Sequence, residues 1–480
     1  MGTSILQGLD GHGGKRLMKT LLIFLFVLFL ASPSWGANCG GETPCACGDT
    51  VTSSYTLTGN LSCTNAGNAL NVGANDITID LGGYTIDGND TNTVVGVYVL
   101  NYTGVTVQNG TITDFTESGI NFEGTATGGA VINIASNSHG NQGFDNKNTA
   151  STTYTNISAA NNVDDGFSMS DSSVAVINGA TFTGNNQQIN IIEDATLTGS
   201  NITISHSGTG QYGIWLTGQT GTVSMTLTDV VISGTYTYSI YNDGCILSIT
   251  DLTDTSAATS SIYSTGTITI IDADLSGTYA SHVFNQASGV SQATVKRSRL
   301  DLSNTTESGI YASASTNVTA ISNIITGMAP DKYALAARTG ATVFAYGNTI
   351  TDSAGSKNGR GFYNEGAATI KNNIFQGLAV GITAIVGSTQ TVDYNCFYDV
   401  TTKLSGTITS TNEVTTDPLF VSTSDFRLRA GSPCIDAGTD VGLTSDYAGV
   451  AIPLGMAPDI GAHEWCCRDG SMSTGMGTNF

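Results

Sequence analysis

Four residues between positions 139 and 165 carry side chains that can transfer protons or bind a cation. Asp145 is followed one repeat later by Asp164 and Asp165, and His139 precedes all three. If the chain completes one coil over that interval, these groups lie on neighbouring coils. They would then be close enough for general acid–base chemistry or for a calcium ion. Acidic side chains are also ordinary turn formers, so a structural role is the competing interpretation.

A second set of residues recurs in a short pattern of a small or polar residue, an aliphatic residue and an aromatic residue. The pattern reads GIWL at 213–216, SIYN at 239–242, SIYS at 261–264, HVFN at 282–285, GIYA at 309–312 and GFYN at 361–364. Flanking aliphatic residues such as Ile214 and Leu216 should point into a core, so the residue between them should point outward. The candidate ligand-binding residues are therefore Trp215, Tyr241, Tyr263, Phe284, Tyr311 and Tyr363.

These residues predict an aromatic stripe along one outer face of the molecule. An exposed apolar stripe usually marks a contact surface, here for sugar rings or for a partner. Two other interpretations stay open. The rings can simply stabilise one another across strands, or the phase of the pattern is wrong and the rings fill the core.

The spacing of the pattern indicates the element that positions both sets. Its middle residues recur every 20 to 28 positions, and the same frame runs back to Tyr98 through Asn121 and Asp145 and forward to Thr383. Each period also holds a second segment with alternating apolar and polar residues, such as ITIIDADL at 268–275, which is typical of a strand with one buried face. The sequence therefore predicts an all-β chain, a right-handed parallel β-helix of about 13 coils.

An Asn or Asp recurs at one corner of the repeat. Short amide and acid side chains tolerate left-handed backbone, and when stacked in register they can form a hydrogen-bonded ladder. The corner residues are Asn109, Asn178, Asp229, Asp251, Asp272, Asn323, Asn348, Asn373 and Asn395.

Composition limits the classes of partner. The 480 residues include 16 Lys and Arg against 38 Asp and Glu, for a net charge of −22. Binding to nucleic acid phosphates needs clustered Lys and Arg, so a nucleic acid partner is not expected. Abundant Gly, Asn, Thr and Ser argue against a helical protein.

The first 36 residues have the features of a secretory signal. The apolar run LLIFLFVLFL at 21–30 follows Lys15, Arg16 and Lys19 and ends in ASPSWG. This order of charged, apolar and small residues is typical of a cleaved signal peptide, with an alternative start at Met18. An uncleaved anchor is the other interpretation. Cleavage would leave a secreted chain without a transmembrane segment.

Export permits disulfide bonds, and the chain has nine cysteines, so at least one is unpaired or intermolecular. Crowding near the predicted mature N-terminus favours one or two bridges that pin the first coil. Metal binding by the closely spaced Cys45 and Cys47 is the alternative, although no matching pair has zinc spacing. The disulfide candidates are Cys39, Cys45, Cys47, Cys63, Cys396 and Cys434.

Both ends of the predicted mature chain resemble known families. CACGDTVTSSYTLTGNLSC at 45–63 and ALNVGANDITIDLGGYTIDG at 69–88 resemble the first coils of secreted right-handed parallel β-helix repeat proteins of the pectate-lyase-like superfamily. DPLFVSTSDFRLRAGSPCIDAGT at 417–439 and DIGAHEW at 459–465 resemble the closing module of bacterial choice-of-anchor surface proteins. The Arg usual between those two blocks is missing from VAIPL at 450–454. The resemblance implies secretion and a β-helix, and it implies little about activity.

The resemblance leaves two interpretations of the acids in the closing module. They bind calcium, or they form structural hydrogen bonds; the acids are Asp436, Asp446, Asp459 and Glu464. The catalytic sets of related enzymes are not matched. The GHG of pectin hydrolases occurs only at 11–13, and NVDDGF at 162–167 lacks the Pro and His of alginate epimerases.

These observations predict a signal peptide at 1–36, N-terminal capping coils with disulfides at 37–100, repeats at 101–400, a capping and anchoring module at 401–466 and a flexible tail at 467–480. The favoured function is non-catalytic binding of an extracellular polysaccharide or cell-surface glycan along the aromatic stripe, with no required cofactor. The alternative is a polysaccharide lyase, epimerase or hydrolase that uses Asp145, Asp164, Asp165 and His139.

Overall fold

A computed structural model describes residues 36–64, 66–89, 93–218, 223–287, 291–352 and 357–465. The predicted signal peptide, apart from its last residue, and the predicted tail lie outside these ranges, as do Cys466 and Cys467. Every regular element in the described ranges is a β-strand, which agrees with a composition poor in helix-forming residues. No helix of the described residues is long and apolar enough to span a membrane.

Forty strands follow one another along the chain. The first group is β1 (Asn38–Cys39), β2 (Asp49–Val51), β3 (Tyr55–Thr56), β4 (Leu61–Ser62), β5 (Leu70–Val72), β6 (Thr78–Asp80), β7 (Thr85–Asp87), β8 (Val97–Leu100), β9 (Thr106–Thr113), β10 (Ile120–Glu123), β11 (Gly129–Asn137), β12 (Phe144–Asn146), β13 (Ser151–Ala160), β14 (Asp165–Met169), β15 (Val174–Thr183) and β16 (Gln187–Ile192). The middle group is β17 (Thr196–Thr217), β18 (Ser224–Asp243), β19 (Ile246–Asp254), β20 (Ala257–Ala258), β21 (Ser260–Ser264), β22 (Thr267–Ile271), β23 (Asp274–Leu275), β24 (Thr278–Tyr279), β25 (Phe284–Gln286), β26 (Gln292–Lys296), β27 (Arg299–Asp301) and β28 (Ile310–Ala312). The last group is β29 (Asn317–Ile321), β30 (Ile324–Thr326), β31 (Tyr333–Ala337), β32 (Thr342–Tyr346), β33 (Thr349–Thr351), β34 (Arg360–Asn364), β35 (Ala367–Lys371), β36 (Ile374–Gln376), β37 (Val380–Ala384), β38 (Thr389–Asp393), β39 (Cys396–Tyr398) and β40 (Thr402–Ser405).

Each strand pairs in parallel with the equivalent strand one coil later, so the chain forms a β-solenoid of about 14 turns. The first sheet runs from β2 through β5, β8, β10, β12, β14 and β16 to β40. Two further sheets complete each coil, and β17 and β18 are long enough to bend through all three. The predicted all-β parallel β-helix is confirmed.

The core is a continuous column of inward aliphatic and aromatic side chains. Ile214 and Leu216 are fully buried there, as expected, while Trp215 between them is only partly buried. Burying one such aliphatic side chain contributes about 1.5–3 kcal/mol. Each inward position stacks on its equivalent in the next coil. Most of these positions are apolar, but the line that begins at Leu216 continues as Asn242, Ser264 and Gln286, which are also fully buried.

An asparagine ladder stabilises one corner of the last coils. Asn323, Asn348, Asn373 and Asn395 are fully buried, and each of the first three donates its side-chain amide to the Oδ1 of the next at 2.9–3.0 Å. This confirms the predicted ladder for these four residues. The ladder residues themselves do not have left-handed backbone; residues next to them, such as Asn372, do. In the preceding coils, Asp229, Asp251 and Asp272 have left-handed backbone at the same corner. Asn178 belongs to neither group; it pairs within the extended β15.

Two disulfides, Cys39–Cys45 and Cys47–Cys63, lie in the first coils, as predicted for that region. The prediction for the other two candidates is not met, because Cys396 and Cys434 are free thiols. Both are fully buried in an apolar cluster with Ile374 and Ile460, and the Cys396 thiol donates to the Thr416 carbonyl oxygen at 3.7 Å.

The C-terminal segment both extends the last coil and folds back along the solenoid. Thr411 and Val414 bridge in parallel to the coil that holds Asp393 and Cys396. Farther along, the Asn372 side-chain amide donates to the Thr439 carbonyl at 2.7 Å and its Oδ1 accepts from the Thr439 amide at 3.0 Å. These contacts place the segment on the asparagine-ladder side of the last coils, and none of them is with the first sheet.

Candidate functional site

One line of side chains follows the outer surface of the first sheet, one residue per coil. The strand register aligns Asn190, Trp215, Tyr241 and Tyr263 in this line. We call it the outer row. Its members are Tyr98, Asn121, Asp145, Ser168, Asn190, Trp215, Tyr241, Tyr263, Asn285, Tyr311, Ala336, Tyr363, Thr383 and Ser405.

A second line, which we call the flanking row, lies three residues earlier in each coil. The register joins Gln187, Tyr212 and Tyr238 in it. Its members relevant here are Asp165, Gln187, Tyr212, Tyr238, Ser260, His282, Ser308, Tyr333 and Arg360. This row was not predicted, although an aromatic residue three positions before the outward residue is visible in YGIW, YSIY and YALA.

Rings of the two rows pair in one repeated geometry, with the flanking ring of one coil against the outer ring of the next. The ring centroids are 5.1 Å apart for Tyr212–Tyr241 and for Tyr238–Tyr263. His282–Tyr311 at 4.1 Å and Tyr333–Tyr363 at 4.8 Å repeat the arrangement farther along. Such pairs contribute about 0.5–1.5 kcal/mol each beyond their buried area. We call this surface the paired-ring face.

The densest part of the paired-ring face is a platform of five rings. Trp215, Tyr241 and Tyr263 follow the outer row, and Tyr212 and Tyr238 flank them. Tyr241 and Tyr263 are stacked at 5.1 Å with planes within 2° of parallel, and all five side chains are half-buried. Their exposed area is available to a planar apolar ligand surface.

The expected position of Phe284 is wrong. Phe284 is fully buried and in register with Ile262 and Ile310, so it faces the core, and Asn285 takes the place in the outer row. A shift of one residue exchanges the two faces of a strand. The segment HVFN has apolar residues at two successive positions, Val283 and Phe284, so alternation alone does not distinguish the two phases.

Asp145 occupies the outer row in the polar, N-terminal half of the face. It is fully buried. Its Oδ2 lies 2.6 Å from Lys147 Nζ, which is the distance of an ion pair, but the two groups are not aligned for a hydrogen bond. Burial raises the pKa of Asp145 to about 6, although the positive charge of Lys147 acts in the opposite direction and lowers it.

Asp165 lies in the flanking row of the next coil. It is 1% exposed, and it accepts a hydrogen bond at 3.0 Å from the side-chain amide of Asn190. Burial, together with repulsion from the half-buried Asp164, raises the pKa of Asp165 to about 8. The structure thus brings the three predicted acids to adjacent coils, separated from the aromatic platform by the coil of Gln187 and Asn190, but it leaves Asp145 and Asp165 with almost no contact with solvent.

His139 does not join these acids, contrary to the sequence prediction. Its ring is 1% exposed and packs against Phe115, and its Nδ1 accepts the Phe115 backbone amide at 3.2 Å. The Nε2 atom therefore carries the proton and lies 2.9 Å from Ser136 Oγ. Burial lowers the pKa of His139 to about 3. The residue is a neutral structural element of a turn.

The four acids of the C-terminal module hold backbone amides in place. Asp436 Oδ1 accepts from Met456 at 2.7 Å, and Asp446 accepts from Val450 at 2.6 Å and from Glu464 at 2.9 Å. Asp459 and Glu464 also accept main-chain donors, and burial raises the pKa of both. The calcium interpretation is not supported, because these oxygens are committed to N–H groups and the described residues contain no group of metal-ligating side chains.

A cleft of about 450 Å³ lies away from the paired-ring face, between the last coils and the C-terminal module. Asp352, Gln376, Asp399, Asp417 and Arg429 are among its polar lining residues. Asp399 is paired with Lys357 and Arg429 donates to the Phe420 carbonyl at 2.7 Å, so these groups stabilise the junction.

Comparisons with known proteins bear on the fold. No family model matches the chain, and no curated protein matches it. Solved structures similar to it include the catalytic domain of a GH87 α-1,3-glucanase in complex with nigerose, at 14% identity over 65% of this chain and 69% of that one, with a TM-score of 0.31. Pectate lyase Pel9A is similar at 14% identity over 87% of this chain and 88% of that one, with a TM-score of 0.22. At these identities the likeness concerns the parallel β-helix fold alone.

Proposed function

We propose that this protein binds an extracellular polysaccharide or cell-surface glycan along the paired-ring face without altering it chemically. The five-ring platform around Trp215 and Tyr241 supports the proposal, because stacked, half-exposed rings in an unbroken line match the flat apolar faces of successive sugar units. Adjacent coils are about 4.8 Å apart, so the five rings offer a surface two to three sugar units long.

The experiment is retention of the protein by immobilised or gel-embedded polysaccharides. The double variant Trp215→Ala plus Tyr241→Ala should lose retention by at least tenfold in affinity. Tyr346→Ala is a matched control, because Tyr346 is an outward, half-buried ring of β32 in another sheet. Equal retention of the platform variant and the control would contradict the proposal.

A polysaccharide lyase, epimerase or hydrolase is the second candidate. The observation that favours it is the pair of adjacent carboxyl groups, Asp145 and Asp165, with pKa values raised to about 6 and about 8. Raised carboxyl pKa values are typical of general acids. The binding proposal is preferred because each carboxyl group already has a partner within the solenoid, Lys147 for Asp145 and Asn190 for Asp165. New reducing ends or unsaturated products from a polysaccharide panel, lost in Asp165→Asn, would establish the enzyme instead.

Secretion or cell-surface attachment belongs to the same proposal. Two disulfides in the first coils are compatible with an oxidising compartment, and the sequence of the C-terminal module resembles that of choice-of-anchor surface proteins. Cell fractionation with an antibody to the solenoid tests it. Recovery of the protein only from cytosol, with reduced Cys47 and Cys63, would contradict it.

A further inference from the structure

The paired-ring face is interrupted by a polar notch at one coil. In the outer row, Asn285 separates Tyr263 from Tyr311. In the flanking row, Ser260 follows Tyr238 one coil later, and His282 and Ser308 occupy the next two coils before Tyr333. Tyr263 and Tyr311 are two coils apart, which is about 10 Å. A sugar chain that stacks on both of these rings would therefore pass over the notch.

The hydrogen-bonding state of His282 follows from its contacts. Its Nε2 lies 3.0 Å from Glu307 Oε2, and its ring stacks on Tyr311. Burial lowers the pKa of His282, so the ring is neutral. A neutral ring that faces a carboxylate through Nε2 carries its proton there, which leaves Nδ1 as an acceptor.

The notch is short of hydrogen-bond donors. His282 Nδ1 and Asn285 Oδ1 are buried acceptors without a partner among the described residues, and the Ser260 hydroxyl is likewise unpaired there. His282 is 5% exposed. Unsatisfied buried polar groups are costly, so a ligand that supplies O–H or N–H groups at this position recovers that cost.

The charges on the face disfavour an anionic ligand. The cations that contact it already face carboxylates: Lys147 pairs with Asp145, Arg338 with Glu365, and Arg360 with Asp331. Glu307 at the notch is more than half exposed. The whole chain carries a net charge of −22, so a polyuronate would meet repulsion without a free cation from these pairs to neutralise it.

We propose that the notch formed by Ser260, His282 and Asn285 is a specificity-determining subsite that selects a neutral or amino-sugar polysaccharide, through the donor groups of one sugar unit, and rejects polyuronates. This inference rests on the proposed glycan binding and assigns the class of glycan. The rings at both sides of the notch supply affinity that is largely independent of the identity of the sugar. The acceptors in the notch accept hydrogen bonds from the O–H or N–H groups of the sugar unit that lies between those rings.

The test uses the double variant His282→Phe plus Asn285→Leu, which keeps side-chain size and the ring on Tyr311 but removes both acceptors. Thr294→Val is the control, because Thr294 lies in the same coil on β26 of another sheet. Affinity is measured by affinity gel electrophoresis on a neutral β-glucan, on chitosan oligosaccharides, on polygalacturonate and on alginate. Thermal unfolding is followed in parallel.

The expected result is retention on a neutral or amino-sugar polymer, weaker by about tenfold or more in the double variant, with an unchanged or raised unfolding midpoint. A merely structural role would lower the midpoint together with the affinity. The inference is overturned if polyuronates bind as tightly as neutral glycans. It is also overturned if the notch variant keeps its selectivity while Trp215→Ala plus Tyr241→Ala loses binding, an outcome that leaves the proposed function intact. Absence of any retention of the wild-type protein would refute both.

Discussion

The side-chain amide of Asn190 donates a hydrogen bond to Asp165 Oδ2 at 3.0 Å, from the outer row of one coil to the flanking row of the coil before it. Tyr212 meets Tyr241 in the same relation two coils later. The polar half and the aromatic half of the face are therefore built on one geometric rule. Changes to residues of either kind should act through this coil-to-coil pairing.

Asp165 should make the stability of the protein depend on pH. The unfolded carboxyl ionises near its ordinary pKa of 3.8, whereas the folded one keeps its proton up to about pH 8. Its contribution to stability is therefore complete below about pH 4 and is lost as the pH rises to 8. Asp145, with a pKa of about 6, causes a further loss of stability as the pH rises from about 4 to about 6, and none above that.

The variant Asp165→Asn should thus be more stable than the wild type at pH 8, by on the order of a few kcal/mol. Its thermal midpoint should vary much less between pH 6 and 8. Asp229→Asn, at an exposed left-handed corner that Asn also tolerates, is the control and should retain the wild-type slope. Parallel curves for wild type and Asp165→Asn would show that the carboxyl is ionised in the folded state.

Ring stacking should contribute to stability apart from binding. Tyr241→Ala removes contacts with Tyr212, Tyr238 and Tyr263 at 5.1–5.5 Å, and we expect a loss of about 1–3 kcal/mol in the free energy of unfolding. Tyr241→Phe keeps the ring and should lose less than half of that. Urea unfolding followed by circular dichroism measures both. A smaller loss for Tyr241→Ala than for Tyr241→Phe would contradict the role of the ring contacts.

The asparagine ladder should be highly sensitive to substitution. Asn348 Oδ1 accepts both the backbone amide and the side-chain amide of Asn323, at 3.0 and 2.9 Å. Replacing it by Ala leaves those buried donors unpaired, at a cost of about 1–3 kcal/mol each. Asn317→Ala, at an exposed strand position, should change the thermal midpoint by a degree or so. A comparable small shift for Asn348→Ala would mean that the ladder is replaced without cost.

The free thiols at the C-terminal junction should be protected from alkylation. Cys396 and Cys434 are fully buried, and their mutual contact together with burial raises the pKa of Cys396. A thiolate is the reactive form of cysteine. Iodoacetamide labelling followed by peptide mass spectrometry should show little modification of either residue in the native protein and full modification in guanidinium. Rapid native labelling would show that the C-terminal module opens readily.

The period of the repeat was readable from the sequence because every coil buries the same positions. Ile214 and Leu216 around Trp215 show this alternation clearly, whereas around Tyr241, Tyr263 and Tyr363 only the preceding residue is apolar. The alternation is ambiguous where two apolar or small residues adjoin, as at Val283–Phe284 and Leu335–Ala336. At Phe284 the expected phase is wrong by one residue, and only the strand register places Asn285 and Ala336 on the outside.

The candidate site was partly readable. Asp145 and Asp165 do meet on adjacent coils, because both follow from the repeat length. The burial of these acids and the structural role of His139 were not readable, since each depends on neighbours in other coils, whereas structural hydrogen bonds for Asp436 were one of the two interpretations that the sequence left open. The flanking row was missed because in most coils it lies three residues before the outer row within the same strand, as Tyr212 and Trp215 do in β17, and two-residue alternation assigns positions three apart to opposite faces.

By itself, the sequence determined that the chain winds into a parallel β-helix with one partly aromatic outer line, because hydrophobic periodicity reports which side of each strand is buried. Only the tertiary structure decided which residues share that surface, that Tyr212, Tyr238, His282 and Tyr333 complete it, and which polar atoms on it lack a partner. The physical reason is that contacts between coils join residues more than twenty positions apart, and the pattern within one strand carries no information about them.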